Sequence, residues 1–257
     1  MNHPYHKIVL FGDSITQFSF DPLFQGFGAS IANAYQRKID VMNRGFSGYN
    51  TTWAIPILRQ LLPTVEQQKQ PAKIQLLTIF FGANDGALPI SFQHVPLEKY
   101  KKNLEELISM VRSPSSPYYN PSLRLVLITP PPINEVQWKV VCEENGIQLD
   151  RKFETTRLYA ECARNVGKEH KIPVINLWDE ILDRAKEQNR DLSQFLSDGL
   201  HLSSLGNQTA YELFMEVINT HFPELHPDAL EMELPYFRDI DPKNYLDALQ
   251  FKLIQKE

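Results

Sequence analysis

Ser14 stands in the run Phe11-Gly12-Asp13-Ser14-Ile15-Thr16, directly after an apolar stretch, Ile8-Val9-Leu10-Phe11, that reads as a buried strand. A serine at a strand-to-helix turn lies at the carboxyl edge of a sheet, where its hydroxyl is exposed and backbone N–H groups converge. Such a hydroxyl can serve as a nucleophile only with a base beside it, because a free serine is barely ionised at neutral pH. His201 is the candidate base, in the stretch Ser197-Asp198-Gly199-Leu200-His201-Leu202-Ser203. Asp198 lies three residues earlier. Across a turn, that spacing lets the carboxylate accept from one ring nitrogen while the other faces Ser14.

Attack on a carbonyl also needs hydrogen-bond donors aimed at the developing oxyanion. Two further loops offer them. In Asn43-Arg44-Gly45-Phe46-Ser47-Gly48, Gly45 allows a backbone N–H to come close without a Cβ in the way, while Gly48 reads only as a tight turn. In Gly82-Ala83-Asn84-Asp85, Asn84 can present its side-chain amide. The Ser14 N–H is the third donor. Asp13 and Asp85 read as carboxylates that brace their own loops.

These positions need strands to carry them. Apolar, β-branched runs at 7–11, 74–81, 123–129 and 172–176, with a weaker one at 39–43, alternate with stretches of 3.6-residue periodicity at 24–37, 51–67, 97–111, 152–169 and 204–222. In the fourth of these helices Leu158, Cys162 and Val166 fall on one face. In the last, Leu213, Phe214, Val217 and Ile218 are expected to face inward. Alternation of this kind predicts an α/β fold, a five-stranded parallel sheet with helices on both faces in a three-layer αβα sandwich. Proline-rich breaks at 114–121 and 130–132 are too short to be domain linkers.

Residues 1–222 therefore read as one domain, and residues 223–257 as a tail interrupted by prolines 223, 227, 235 and 242. The tail ends in a short amphipathic helix with Tyr245, Leu246, Leu249 and Leu253 on one face, which must pack on the domain or across a homodimer interface. Because it follows the histidine loop closely, it is also expected to help wall an acyl pocket.

Composition narrows the function classes. With 42% hydrophobic residues the chain can bury a core without disulfides or metal. A net charge of -5 and no basic run argue against nucleic acid. Cys142 and Cys162 have neither C-x-x-C nor zinc spacing, and His3 and His6 lack a third ligand nearby, so no metal or cofactor is expected. The amino terminus has no signal-peptide core, and the longest apolar run, 76–81, is far too short to span a bilayer. A soluble, cytoplasmic protein is expected.

Serine, glycine, asparagine and histidine blocks in this order, each at a strand end, resemble the SGNH (GDSL-type) hydrolase family. The resemblance runs from end to end, through Gly12-Asp13-Ser14, Asn43-Arg44-Gly45, Gly82-Ala83-Asn84-Asp85 and Asp198-Gly199-Leu200-His201. Residues 129–135 and Phe237-Arg238-Asp239 are similar to the isoamyl acetate-hydrolysing esterase branch of that family. The resemblance implies a flavodoxin-like SGNH fold and a serine esterase for short-chain, acetate-type esters. It implies Ser14 as nucleophile, His201 as base, Asp198 as its partner, and Ser14, Gly45 and Asn84 as the oxyanion hole.

Two other readings use the same residues. A thioesterase or lysophospholipase would keep the triad and change the substrate. A non-catalytic, flavodoxin-like binding module would hold phosphate at the same turn, but the chain has neither a G-x-x-x-x-G-K-[ST] nor a G-x-G-x-x-G loop. The α/β-hydrolase fold is disfavoured by the lack of a G-x-S-x-G elbow.

Overall fold

The computed structural model describes residues 5–252. Five parallel strands, β1 (His6–Gly12), β2 (Ile39–Gly45), β3 (Ile74–Phe80), β4 (Arg124–Ile128) and β5 (Val174–Ile175), form one sheet in the order β2-β1-β3-β4-β5. Alternation along the strands splits the core in two. Ile8, Leu10, Leu76, Phe80, Val126 and Ile128 face one side, where they meet α2 (Phe27–Ala34), α5 (Glu135–Glu144), α7 (Leu177–Glu187) and α8 (Ser204–His221). Val9, Phe11, Leu77, Ile79, Leu125 and Leu127 face the other, under α3 (Thr51–Leu61), α4 (Leu97–Arg112) and α6 (Phe153–Glu169). The result is the expected three-layer αβα sandwich.

The five apolar runs all become strands. β2 gave the weakest signal because it is an edge strand whose side chains are mostly half-buried. β5 pairs over only two residues, next to Pro173, which has no N–H to give to a ladder. The predicted helix at 51–67 ends at Leu61, just before Pro63, and Gln67–Lys69 forms a separate 3-10 turn. The one at 24–37 is trimmed to Phe27–Ala34, since Gln25 takes a positive φ of 49° before the helix starts.

Two helices were not foreseen, α5 and α7. In α6 the buried face is Thr156, Tyr159, Ala160, Ala163, Val166 and Gly167; Leu158 is exposed, so the expected Leu158–Cys162–Val166 stripe is rotated. Phe214 and Ile218 of α8 are buried as expected, with Leu213 and Val217 partly so.

The order of the strands locates the site. The chain runs from β1 outward to β2, then crosses back over β1 to β3. This reversal opens a crevice at the carboxyl ends of β1 and β3, where ligands bind in doubly wound sheets.

The tail lies at the opposite edge. Tyr35 Oη donates to the Leu225 carbonyl at 2.8 Å, and the Arg37 carbonyl accepts from the Glu233 N–H at 2.9 Å. Arg37 also donates to the Pro235 carbonyl at 2.8 Å. Arg37 lies two residues before β2, so these contacts sit at the amino edge of the sheet. A seven-residue strand puts the two edges about 20 Å apart. The described tail therefore does not wall a pocket beside Ser14. Its helix α9 is a single turn, Tyr245–Ala248, with Tyr245, Leu246 and Leu249 exposed; Leu253 lies outside the described residues.

Candidate active site

Ser14 opens the four-residue helix α1 (Ser14–Gln17), whose first turn Asp13 caps by accepting the Ile15 N–H at 3.0 Å. The serine is 4% exposed, and no described residue accepts its N–H. That N–H points out of a helix start, as the first N–H groups of a helix do.

His201 arrives from the other end of the chain on a loop clamped at several points. Leu196 and Leu202 form an antiparallel bridge, and the Ser197 N–H donates to the His201 carbonyl at 2.8 Å. Gly199, at φ 94°, packs so closely on α5 that a Cβ would lie 2.5 Å from the Asn134 carbonyl oxygen. Its own carbonyl accepts the Asn134 N–H at 2.9 Å.

So held, the imidazole bridges two partners. His201 Nε2 lies 2.9 Å from Ser14 Oγ, and Nδ1 lies 2.7 Å from Asp198 Oδ2. The other carboxylate oxygen of Asp198 accepts the Leu200 and His201 N–H groups, at 2.9 and 2.8 Å. Burial pushes the Asp198 carboxyl up, but the bonds from His201 and the two backbone N–H groups outweigh it, and the carboxyl stays ionised below its ordinary range. A fixed carboxylate of this kind holds Nδ1 protonated and leaves Nε2 free to take the serine proton. The Phe18 ring sits edge-on to the imidazole, with centroids 5.2 Å apart.

Asn84, after β3, is buried. Its Nδ2 donates to the Tyr49 carbonyl at 2.9 Å, which leaves the second N–H without a protein acceptor among the described residues. Gly45 does not play the expected part. Its N–H is donated to Asn43 Oδ1 at 2.8 Å, so it is spent inside its own turn. Its lack of a side chain serves packing, because a Cβ would sit 1.9 Å from the Gln17 nitrogen and bar α1 from β2.

Gly48 reads from sequence as a turn only. It adopts φ 80°, its carbonyl accepts from Gln93 Nε2 at 2.8 Å, and the same Nε2 reaches Asn84 Oδ1 at 3.2 Å. No described residue takes the Gly48 N–H.

Asp13 and Asp85 are wholly buried, and burial pushes both carboxyls up to about 7. Asp85 Oδ1 accepts the Thr51 N–H and hydroxyl, tying α3 to the Asn84 loop. Both are loop braces, as their positions suggested.

Sequence reasoning missed Arg151, Asp150 and Gln93, which stand on loops with no motif around them. Arg151 is 3% exposed and reaches Asn84 Oδ1 at 2.7 Å. Phe18 lines the cavity of about 400 Å³ against His201, with Ile15, Phe24 and Leu202 as its other apolar walls. Phe20 packs on the core, Phe46 and Trp53 form a chain of ring contacts through Tyr49, and Trp138 is buried under Arg151. Among the described residues no cluster of three His, Cys, Asp or Glu could hold a metal, and no helix is long and apolar enough to cross a membrane. His3 lies outside the described residues, and His6 Nδ1 accepts the Lys73 N–H at 3.0 Å.

Comparison with known proteins gives the family of the chain. Residues 10–209 match the GDSL-like lipase/acylhydrolase family. The chain is 41% identical over 236 residues to an isoamyl acetate-hydrolyzing esterase 1 homolog of Bos taurus, covering 91% of this chain and 88% of that protein. It is 33% identical over 246 residues to the isoamyl acetate-hydrolyzing esterase of Saccharomyces cerevisiae, covering 92% and 95%. Among solved structures, a lipase/acylhydrolase from Enterococcus faecalis superposes with a TM-score of 0.62 at 25% identity, over 90% of this chain and all of that one. An acetylxylan esterase from Geobacillus stearothermophilus shares the fold, at a TM-score of 0.60 and 19% identity over 85% and 95% of the two chains.

Proposed function

The chain belongs to the GDSL-like lipase/acylhydrolase family and is an esterase; from that premise we propose that it hydrolyses short-chain, acetate-type carboxylic esters through an acyl-enzyme on Ser14. The observation that carries the proposal is the unbroken line from Ser14 Oγ through His201 to Asp198, at 2.9 and 2.7 Å.

In the first half-reaction Ser14 Oγ attacks the ester carbonyl while His201 Nε2 takes the hydroxyl proton. Asp198 stabilises the imidazolium that results. The oxyanion accepts from the Ser14 N–H, the free N–H of Asn84 Nδ2 and the Gly48 N–H, which takes the place first given to Gly45. As the tetrahedral adduct collapses, the imidazolium returns its proton to the departing alkoxide. Water then attacks the acyl-enzyme by the same steps in reverse, with His201 again as base. No cofactor enters either half.

The substrate class rests on two supports. The cavity beside His201, about 400 Å³, lies toward the small end of the usual range for ligand sites. Of the relatives named above, the yeast protein is named an isoamyl acetate-hydrolyzing esterase and the bovine one a homolog of such an esterase. A thioesterase or lysophospholipase would use the same residues on a longer acyl chain. Rates on a ladder of p-nitrophenyl esters separate them. We expect kcat/KM to be greatest at acetate or propionate and to fall steadily toward octanoate. A maximum at octanoate or beyond would assign the site to long acyl chains instead.

A further inference from the structure

Arg151 spends every N–H it has inside the protein. Its Nε donates to the Ala83 carbonyl at 3.1 Å, Nη1 to both oxygens of Asp150 at 2.8 Å, and Nη2 to Asn84 Oδ1 at 2.7 Å and Gln93 Oε1 at 2.9 Å. A guanidinium has five N–H groups in a rigid fork, so each is matched. The fork lies over the Trp138 ring, 5.0 Å from its centroid, and Trp138 Nε1 donates to Asp150 Oδ1 at 2.9 Å.

We propose that Arg151 is a positioning residue for hydrolysis: it holds the Asn84 amide with its oxygen turned inward and its N–H turned toward the oxyanion. The proposal rests on the reading of Asn84 as an oxyanion donor. An asparagine amide is nearly symmetric in shape, and either end could face the substrate. A cation 2.7 Å from one end removes that choice. The NH₂ group would be repelled by the guanidinium, whereas the carbonyl oxygen accepts a charge-assisted bond from it.

The same contact draws electron density toward Oδ1 and makes the remaining N–H a stronger donor. The bond from Nε to the Ala83 carbonyl fixes the backbone one residue earlier, and Gln93 bridges the fork to Gly48. One buried side chain thus sets both the direction and the distance of two donors. Asp150 neutralises its charge, so the pair can be buried without a lone ion in the core.

The test is a double-mutant cycle on p-nitrophenyl acetate hydrolysis. It compares the wild type, Asn84→Ala, the charge-free pair Arg151→Met with Asp150→Asn, and all three substitutions together. If Arg151 acts through Asn84, the pair lowers kcat about 10- to 100-fold in the wild type with KM nearly unchanged, but about 3-fold or less once Asn84 is alanine. The pH profile of kcat/KM keeps its wild-type shape, because His201 is untouched.

Equal losses in both backgrounds, no loss at all, or a displaced pH profile would overturn the role of Arg151. A wild-type rate in Asn84→Ala would overturn the oxyanion reading itself, and the two failures are therefore distinct. If the charge-free pair does not fold, Arg151→Lys takes its place in the cycle under the same criterion. Lysine keeps the charge but cannot form the fork.

Discussion

At the scale of single residues, the carboxylate next to Ser14 is the most exposed to test. Asp13 is wholly buried, its Oδ1 caps α1, and its Oδ2 has no hydrogen-bond partner among the described residues. The charged groups that act on it are His201 and Arg151, both of which favour ionisation, and Asp85 shares its surroundings. Burial outweighs them and lifts the carboxyl from its ordinary 3.8 to about 7.

Between those two values the folded chain keeps a proton that the unfolded chain has lost, so stability falls as pH rises through that window. Asp13→Asn removes the titration and leaves an amide oxygen for the Ile15 N–H. The melting temperature of the variant minus that of the wild type should climb from about pH 4 to pH 7. A difference that stays flat across that range contradicts the burial argument.

The residues that meet at the carboxyl edge differ in how plainly the chain announces them. Ser14, Asp198 and His201 each sit in a short run whose meaning depends on its own spacing. Gly45 misleads because its N–H is taken by Asn43, a contact two residues away that spacing does not reveal. Arg151 was invisible for a stronger reason. Its five acceptor atoms lie on residues 83, 84, 93 and 150, and apart from the adjacent Asp150 only the fold gathers them.

At the scale of elements, the loop from Ser197 to Ser203 decides where His201 stands. Gly199 is its hinge point, with a positive φ and a Cβ position already occupied by the Asn134 oxygen and the Trp138 nitrogen. Gly199→Ala should cost about 1 to 3 kcal/mol of stability through backbone strain alone. It should lower esterase activity further than that loss explains, because the loop must lift off α5 and carry His201 with it. Thermal unfolding and kcat measured at a temperature where the variant remains folded separate the two effects. Full activity in a folded variant would mean that the loop finds another route to the same geometry.

The elements themselves were read unevenly. Buried central strands such as β3 and β4 declare themselves as apolar runs, whatever surrounds them. Helix α5 did not, since Val136 and Val140 are exposed while Trp138 and Cys142 are buried, and the apolar residues circle the helix. Helix α7 does carry an inward stripe of Leu177, Ile181 and Ala185, but it begins two residues after β5 and merges with that short strand in sequence. In α6, small residues form the buried face, and the larger Leu158 drew attention to the wrong one.

At the scale of the whole molecule, the sheet separates chemistry from closure. The histidine, serine and asparagine loops share the carboxyl edge, whereas the tail braces the amino edge through Tyr35 and Arg37. Alternating strands and helices made the three layers readable in advance. The course of the tail was not readable, because its prolines and exposed apolar residues specify no surface. Removing residues 236–257 leaves the bonds to Leu225, Glu233 and Pro235 in place and deletes the ion pair between Lys252 and Glu231 and the contact of Tyr5 with Phe251. The truncated protein should lose little stability with the exposed ion pair, which solvent screens, and should keep its acyl-chain preference. A changed preference would bring the tail to the active site after all.

The central claim is that Ser14 is an activated nucleophile. Intact mass after treatment with a fluorophosphonate, run in parallel on the wild type, Ser14→Ala and His201→Ala, tests it most directly. We predict one adduct on the wild type, none on Ser14→Ala and a greatly slowed adduct on His201→Ala. An unlabelled wild type that is folded, or an adduct that survives Ser14→Ala, would contradict the claim.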